Sequence, residues 1–266
     1  MHPMIESVYF SDELSNSTRH HYHDCHQILF IQKGELVVSL GQTETVARTG
    51  DIVISNRFEH HAITVRSETY ERYLLRLRPT SLPADGAYSF LTLRPTSFRN
   101  PVSTGEAFPD FVSLFRALMR EGEATDRYTL QMQEMLVTEL LIRICRLEGE
   151  SSFAFDDDDM KLVLSLQRDF DEHYREKYTL SALADRYHVS VSALSHRFKA
   201  IVGVSVMEYL FSCRLAAAKR YLSETGKSVG EIVEACGFTD GSNFSRTFKS
   251  RTGMTPSEFR CRYRGT

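Results

Sequence analysis

The spacing of hydrophobic residues changes its period part-way along this 266-residue chain. Up to about Pro79 the apolar positions come in short runs broken by turn formers. Residues 27–31 (QILFI) and 36–40 (LVVSL) flank Lys33-Gly34-Glu35. Two apolar runs around a glycine predict a β-hairpin. Gly41, Gly50-Asp51 and Asn56 punctuate further strands, residues 52–54 among them. Turns this frequent predict a small antiparallel barrel or sandwich.

After Pro101 the period becomes helical. Phe108, Phe111, Leu114, Phe115 and Leu118 recur at helical spacing, as do Leu130, Met135, Leu136, Leu140, Leu141 and Ile144. Residues 122–126 separate the two segments, which predicts a helical hairpin. Its apolar excess either covers the core or forms a dimer seam. Four aspartates in a row then mark residues 151–159 as an acidic linker or as the start of a helix, where negative charge is favoured. From Met160 onward helical patterns dominate. The expected fold is α+β and multidomain: a barrel over 1–100, a helical hairpin over 101–150, a linker over 151–159 and an all-helical domain over 160–266.

Within that last domain the chain repeats itself. Residues 198–209 (FKAIVGVSVMEY) align with 248–259 (FKSRTGMTPSEF), and 194–197 (LSHR) align with 244–247 (FSRT). Further upstream Leu183-Ala184 matches Ile232-Val233 with the register shifted by one. Repetition of this kind means one supersecondary unit used twice. Each copy reads as helix, tight turn, helix. In the first, Leu180, Leu183, Ala184 and Tyr187 form an apolar stripe, His188-Val189-Ser190 makes the turn, and Ser190 is a suitable N-cap. In the second, Val229, Ile232 and Val233 form the stripe. Gly237 supplies the positive φ that a helix end needs, and Thr239 is the expected cap. Leu194 and Phe198, then Phe244 and Phe248, pack each second helix back on the first. What remains exposed is small, polar or basic: Ser192, Ser195, His196 and Arg197, then Ser242, Asn243, Ser245 and Arg246. A helix with an apolar packing face and an outer face of short hydrogen-bonding groups plus a basic fork suits major-groove readout.

Charge agrees with that assignment. The formal net charge of −3 hides an asymmetry: from Met160 there are 17 Lys+Arg against 11 Asp+Glu, and before it 15 against 24. Only the basic C-terminal part is suited to a polyanion.

At these residues the chain resembles the AraC/XylS family of transcription regulators. The likeness rests on residues 232–238 (IVEACGF), 244–249 (FSRTFK) and 253–260 (GMTPSEFR), and extends over about 166–260. It implies a DNA-binding regulator, activator or repressor, expected to be a homodimer, whose two recognition helices enter successive major-groove segments. Carried over by position, Ser192, Ser195 and His196 face bases in the first segment, with Arg197 beside them. Gly241, Ser242, Asn243, Ser245 and Arg246 face the second, and Arg246 is expected to fork onto a guanine. Lys199, Arg214 and Lys249 are expected on phosphates, which position without specifying. The first helix offers no long Gln or Asn, so its base contacts are expected to be few or water-mediated.

Ten histidines are present, six of them at positions 20, 21, 23, 26, 60 and 61. The spacing of His21, His23, Gln27 and Gly34 resembles the first cupin motif, with Gln where a metal-binding cupin has Glu. Gly50 and the segment from Asn56 to His61 resemble the second, without its Pro and Gly. Alternate strand residues share a face, so His21, His23 and Gln27 are expected to point inward. With His61 they form an N3O set suited to a divalent transition metal. The other reading is a degenerate cupin whose histidines line an effector pocket and which requires no cofactor. In the resembling family such barrels sense small molecules, many of them sugars or related metabolites.

No apolar run reaches the ~20 residues that span a bilayer, and the N-terminus reads as no secretory leader. The five cysteines are scattered, odd in number and without a C-x-x-C pair, which fits a reducing compartment. Two functions stay in view. One is a regulator of double-stranded DNA under small-molecule control, without catalytic residues. The other is a metal-dependent cupin enzyme with an accessory helical domain, which leaves the repeat unexplained. A DNA-binding protein without an effector is a third.

Overall fold

The computed structural model describes residues 4–13, 17–40, 43–79, 100–148 and 157–264. The chain divides into two compact units, one of residues 1–160 with 201–203 and one of residues 161–200 with 204–266.

The first unit holds β1 (Ile5–Ser11), β2 (Ser17–His21), β3 (His26–Lys33), β4 (Glu35–Leu40), β5 (Thr43–Arg48), β6 (Asp51–Ser55), β7 (His61–Val65), β8 (Glu71–Leu77) and β9 (Val102–Ser103). They form a five-stranded sheet in the order β1-β8-β3-β6-β9 and a four-stranded sheet in the order β2-β7-β4-β5. The strands pair antiparallel. Two helices follow, α1 (Phe108–Glu123) and α2 (Thr129–Glu148).

The five-stranded sheet is buried on both faces. On one, Ile28, Phe30, Ile52, Ile54, Tyr73 and Leu75 pack with Phe111, Leu114, Phe115 and Leu118 of α1 and with Val137, Leu140, Leu141 and Ile144 of α2. Phe30 stacks on Phe115, ring centroids 5.2 Å apart. On the other face, Leu29, Ile31, Val53 and Leu74 pack on Leu36 and Val38 of the four-stranded sheet. Burial on both sides is why residues 27–31 are apolar without strict alternation. The helical hairpin therefore covers a core. Two members of the predicted α2 stripe do not join it: Leu130 and Met135 are 46% and 66% exposed.

The hairpin expected around Gly34 does not form. β3 pairs with β6 and β8, whereas β4 pairs with β5 and β7. Gly34 is a corner at which the chain leaves one sheet for the other. Its φ is +107°, and a Cβ there would lie 2.5 Å from Ser67 Oγ and Thr69 O. Gly50, at φ +89°, makes the return corner between β5 and β6. The corners lie side by side, Gly34 N donating to Thr49 Oγ1 and Gly50 N to the Ile31 carbonyl. A run of apolar residues around a glycine does not say whether the strands beyond it pair with each other or part.

The remaining helices, which make up almost all of the second unit, are α3 (Asp157–His173), α4 (Leu180–Arg186), α5 (Val191–Val202), α6 (Val206–Glu224), α7 (Val229–Ala235), α8 (Gly241–Thr252) and α9 (Pro256–Tyr263). The last three aspartates of the acidic run thus open a helix, at the end where the helix dipole favours negative charge. Leu183, Ala184, Leu194 and Phe198 are buried in the first repeat, and Ile232, Val233, Phe244 and Phe248 in the second. The joining helix α6 buries much of its length, including Tyr209, Leu210, Cys213, Leu215, Ala217, Ala218 and Leu222.

Both repeats turn the same way. After α4, His188 adopts φ 56°, and after α7 Gly237 adopts φ 76°. Val189 N bonds back to the Ala184 carbonyl and Phe238 N to the Val233 carbonyl, so each first helix ends in a left-handed cap. Ser190 caps α5 as predicted, its Oγ accepting from Ala193 N. Thr239 does not cap α8. Asp240 does, its Oδ1 accepting from Ser242 N and Asn243 N. The second turn is therefore one residue longer, and that insertion is the one-residue register shift between the repeats.

Candidate functional sites

The two second helices present their polar faces to solvent. On α5, Ser192, His196 and Lys199 are exposed, while Ser195 and Arg197 are half-buried. Val191 opens the same helix 42% exposed. It escaped the sequence reading because an apolar residue there looks like packing, yet it suits contact with a thymine methyl. On α8, Gly241, Ser242, Asn243, Arg246 and Lys249 are exposed and Ser245 is half-buried.

Arg246 is held. Its Nη2 donates to Asn243 Oδ1 at 3.1 Å, one turn back on the same face. The pair gives α8 a guanidinium pre-oriented beside an amide, which matches bidentate guanine readout next to an adenine-type partner. Arg251, at the end of α8, is tied to the joining helix: its Nη2 donates to Glu208 Oε1 at 2.7 Å.

Arg214 corrects the sequence reading. Its Nε donates to the Tyr174 carbonyl at 2.7 Å and its Nη2 to the Glu176 carbonyl at 2.6 Å. Burial holds its pKa below the ordinary arginine range. A guanidinium engaged by two backbone carbonyls braces α6 against the turn after α3, a structural role the sequence reading did not give it.

In the first unit, a cavity of about 140 Å³ lies between the sheets. Its lining includes Tyr9, His21, His23, Gln27, Ser55, His61, Arg72 and Arg76. The predicted histidines do converge there. One ligand nitrogen from each of His21, His23 and His61 lies within 4.8 Å of the others. The ring centroids of His21 and His61 are 4.5 Å apart, and those of His21 and His23 are 4.8 Å apart. Gln27, 5% exposed, lines the same space. Neighbouring His26 is buried elsewhere, its Nδ1 accepting from Arg57 N.

The loop before β7 sets His61. Arg57, buried, pairs through Nε with Asp24 Oδ1 at 2.7 Å, and Phe58 N donates to the His23 carbonyl. His61 Nδ1 lies 2.9 Å from the Glu59 carbonyl. A carbonyl only accepts, so Nδ1 carries the proton and Nε2 keeps its lone pair. Burial pushes the His61 pKa down to about 4, aided by His21, His60 and Arg76 nearby. The ring is neutral at physiological pH.

Arg72 and Arg76 escaped the sequence reading. They alternate with Leu74 on β8, on the face opposite Tyr73, Leu75 and Leu77. Their four-residue spacing, which puts both on one face of a strand in an otherwise apolar run, was the available signal. No Asp or Glu is among the described residues lining the cavity.

A polar cavity in an antiparallel sandwich and a tandem pair of solvent-facing recognition helices define a regulator of two functions, ligand binding and DNA binding. Comparison with known proteins gives the same division. Residues 6–140 match the AraC-like ligand binding domain, and residues 183–262 match a helix-turn-helix domain. The chain belongs to the AraC family of DNA-binding transcription regulators. It is 29% identical over 230 residues to the arabinose operon regulatory protein of Escherichia coli (strain K12), spanning 86% of this chain and 77% of that one. It is 26% identical over 257 residues to the transcriptional activator RhaS of Salmonella arizonae, spanning 90% and 86%. The crystal structure of ToxT from Vibrio cholerae superposes with a TM-score of 0.63 at 12% identity, over 98% of this chain and 100% of that one. At that identity the likeness is one of fold. Among the described residues no single helix is long and apolar enough to cross a membrane.

Proposed function

We propose that this protein is an effector-controlled, cytoplasmic regulator that reads double-stranded DNA with α5 and α8, takes a small polar metabolite into the cavity between its sheets, and carries no catalytic activity. The observation that carries the reading is the build of α8. Phe244 and Phe248 are buried, Asp240 caps the first turn, and Arg246 stands in solvent braced by Asn243. Ser192, Ser195 and His196 supply the weaker reading on α5. Lys199 and Lys249, exposed near the helix ends, supply charge to phosphates.

A hydrogen-bonding lining suits a sugar-like or acidic metabolite. The name of the arabinose operon regulator among its relatives supports the same kind of ligand. The effector acts only through differential affinity for two states of the protein, a coupling of typically ~1–3 kcal/mol. The enzyme reading leaves both helix-turn-helix units without a use.

Mobility-shift titration against the DNA upstream of its own gene tests the proposal. Binding at least a hundredfold tighter than to unrelated duplex of equal length is expected. Equal affinity for both duplexes would refute it.

A further inference from the structure

We propose that His21, His23 and His61 hold a divalent transition metal ion, and that this ion, with Gln27, Arg72 and Arg76, receives a small chelating carboxylate, one with a hydroxyl or keto oxygen next to the acid group. The inference rests on the reading of the cavity as the effector site and names what that effector is.

Three observations carry it. The first is the donor set. Three imidazoles from two neighbouring strands and the segment after β2 converge in one cavity, with ligand nitrogens within 4.8 Å. Closing on an ion at 2.0–2.1 Å draws tetrahedral ligands to about 3.4 Å, within the reach of side-chain rotation. The second is orientation. The Glu59 carbonyl takes the Nδ1 proton of His61 and leaves Nε2 as the free lone pair. A histidine ligand is typically fixed in this way, by a carbonyl or carboxylate on its other nitrogen. Three protein ligands leave a position open, the pattern of a site that binds an exogenous group.

The third is charge. Arg72 and Arg76 face the same cavity, and no carboxylate lines it among the described residues. A divalent ion beside the Arg76 guanidinium is a like-charge arrangement until an anion joins them. The buried Gln27 Nε2 and Arg76 Nε have no hydrogen-bond partner among the described residues. Buried donors of this kind mark a place for an acceptor. A carboxylate with an adjacent oxygen meets all of these demands. Two oxygens chelate the ion and the remaining lone pairs accept from Gln27 and Arg76. The cavity, about 140 Å³, limits it to a compact molecule.

The test uses full-length protein without an affinity tag, stripped with EDTA, desalted and titrated with Co(II). One equivalent per chain is expected, with the visible ligand-field absorption of a four- or five-coordinate ion. His21→Ala and His23→Ala should each weaken Co(II) binding at least tenfold while keeping the wild-type circular dichroism spectrum and melting temperature. Lactate or pyruvate should shift the spectrum of the loaded protein. Arg76→Met should take up Co(II) yet lose that shift. No stoichiometric uptake, or uptake untouched in both histidine variants, overturns the metal site. A spectrum unmoved by lactate and pyruvate overturns the anion. A protein that binds its DNA but no Co(II) fails this inference alone, whereas wild-type protein without specific DNA binding fails the preceding one.

Discussion

Arg246 and Lys249 sit three residues apart on α8 and are expected to behave differently. Arg246 is oriented by Asn243, and orientation is what base readout needs. Arg246→Ala should cost about 1–3 kcal/mol at the preferred site and relax specificity at one base pair. Quantitative binding to a library of single-base variants checks this, and equal weakening at all sites would place Arg246 on a phosphate. Lys249 is exposed and is a point charge. Lys249→Ala should weaken binding to every sequence and lower the salt slope by about one unit, measured by titration at several salt concentrations. Their exposure was legible because exposure on a helix follows from period. Arg214 was not, because a basic residue on a helix looks the same whether it meets a phosphate or, as here, two backbone carbonyls. Arg72 and Arg76 were missed for the converse reason: arginines on a strand suggest a wet face, and only the stacking of the second sheet turns that face inward.

At the level of elements, equivalent turns offer substitutions of opposite sign. Gly237 is left-handed, and a Cβ there would lie 2.6 Å from the Arg175 carbonyl oxygen. Gly237→Ala should destabilise the second unit by at least about 1–2 kcal/mol from backbone strain alone. His188 takes the same left-handed role with a side chain attached. His188→Gly relieves that strain, offset in part by greater unfolded-chain freedom, and should stabilise by about 0.5–1 kcal/mol. Thermal and urea unfolding followed by circular dichroism report both; a loss of stability in His188→Gly would contradict the equivalence of the turns. Helices and their repeat could be read from the sequence because period, caps and left-handed turns are local. Two misreadings show where locality ends. Thr239 and Asp240 are both good caps, and only the hydrogen bonds choose. The strands flanking Gly34 carry a hairpin pattern, but they part, β3 pairing with β6 and β8 and β4 with β5 and β7.

For the whole molecule, the outer face of α2 bears on self-association. The inner face of α2 is committed to the core, yet Met132, Met135 and Ile142 are 40%, 66% and 37% exposed. An apolar row on the outside of a helix favours pairing with a second copy, consistent with the homodimer proposed from sequence. Met135→Glu should weaken self-association at least tenfold without lowering the melting temperature, as read by analytical ultracentrifugation beside calorimetry. If the wild-type chain is monomeric at micromolar concentration, that role for α2 is wrong. The longer turn ahead of α8 carries a consequence for the promoter. Two readers that differ in one loop residue and in their exposed side chains cannot exchange places. Inverting the bound sequence therefore presents each helix with the wrong half. The chain is therefore expected to bind its target in one heading only, set by the unlike outer faces of α5 and α8.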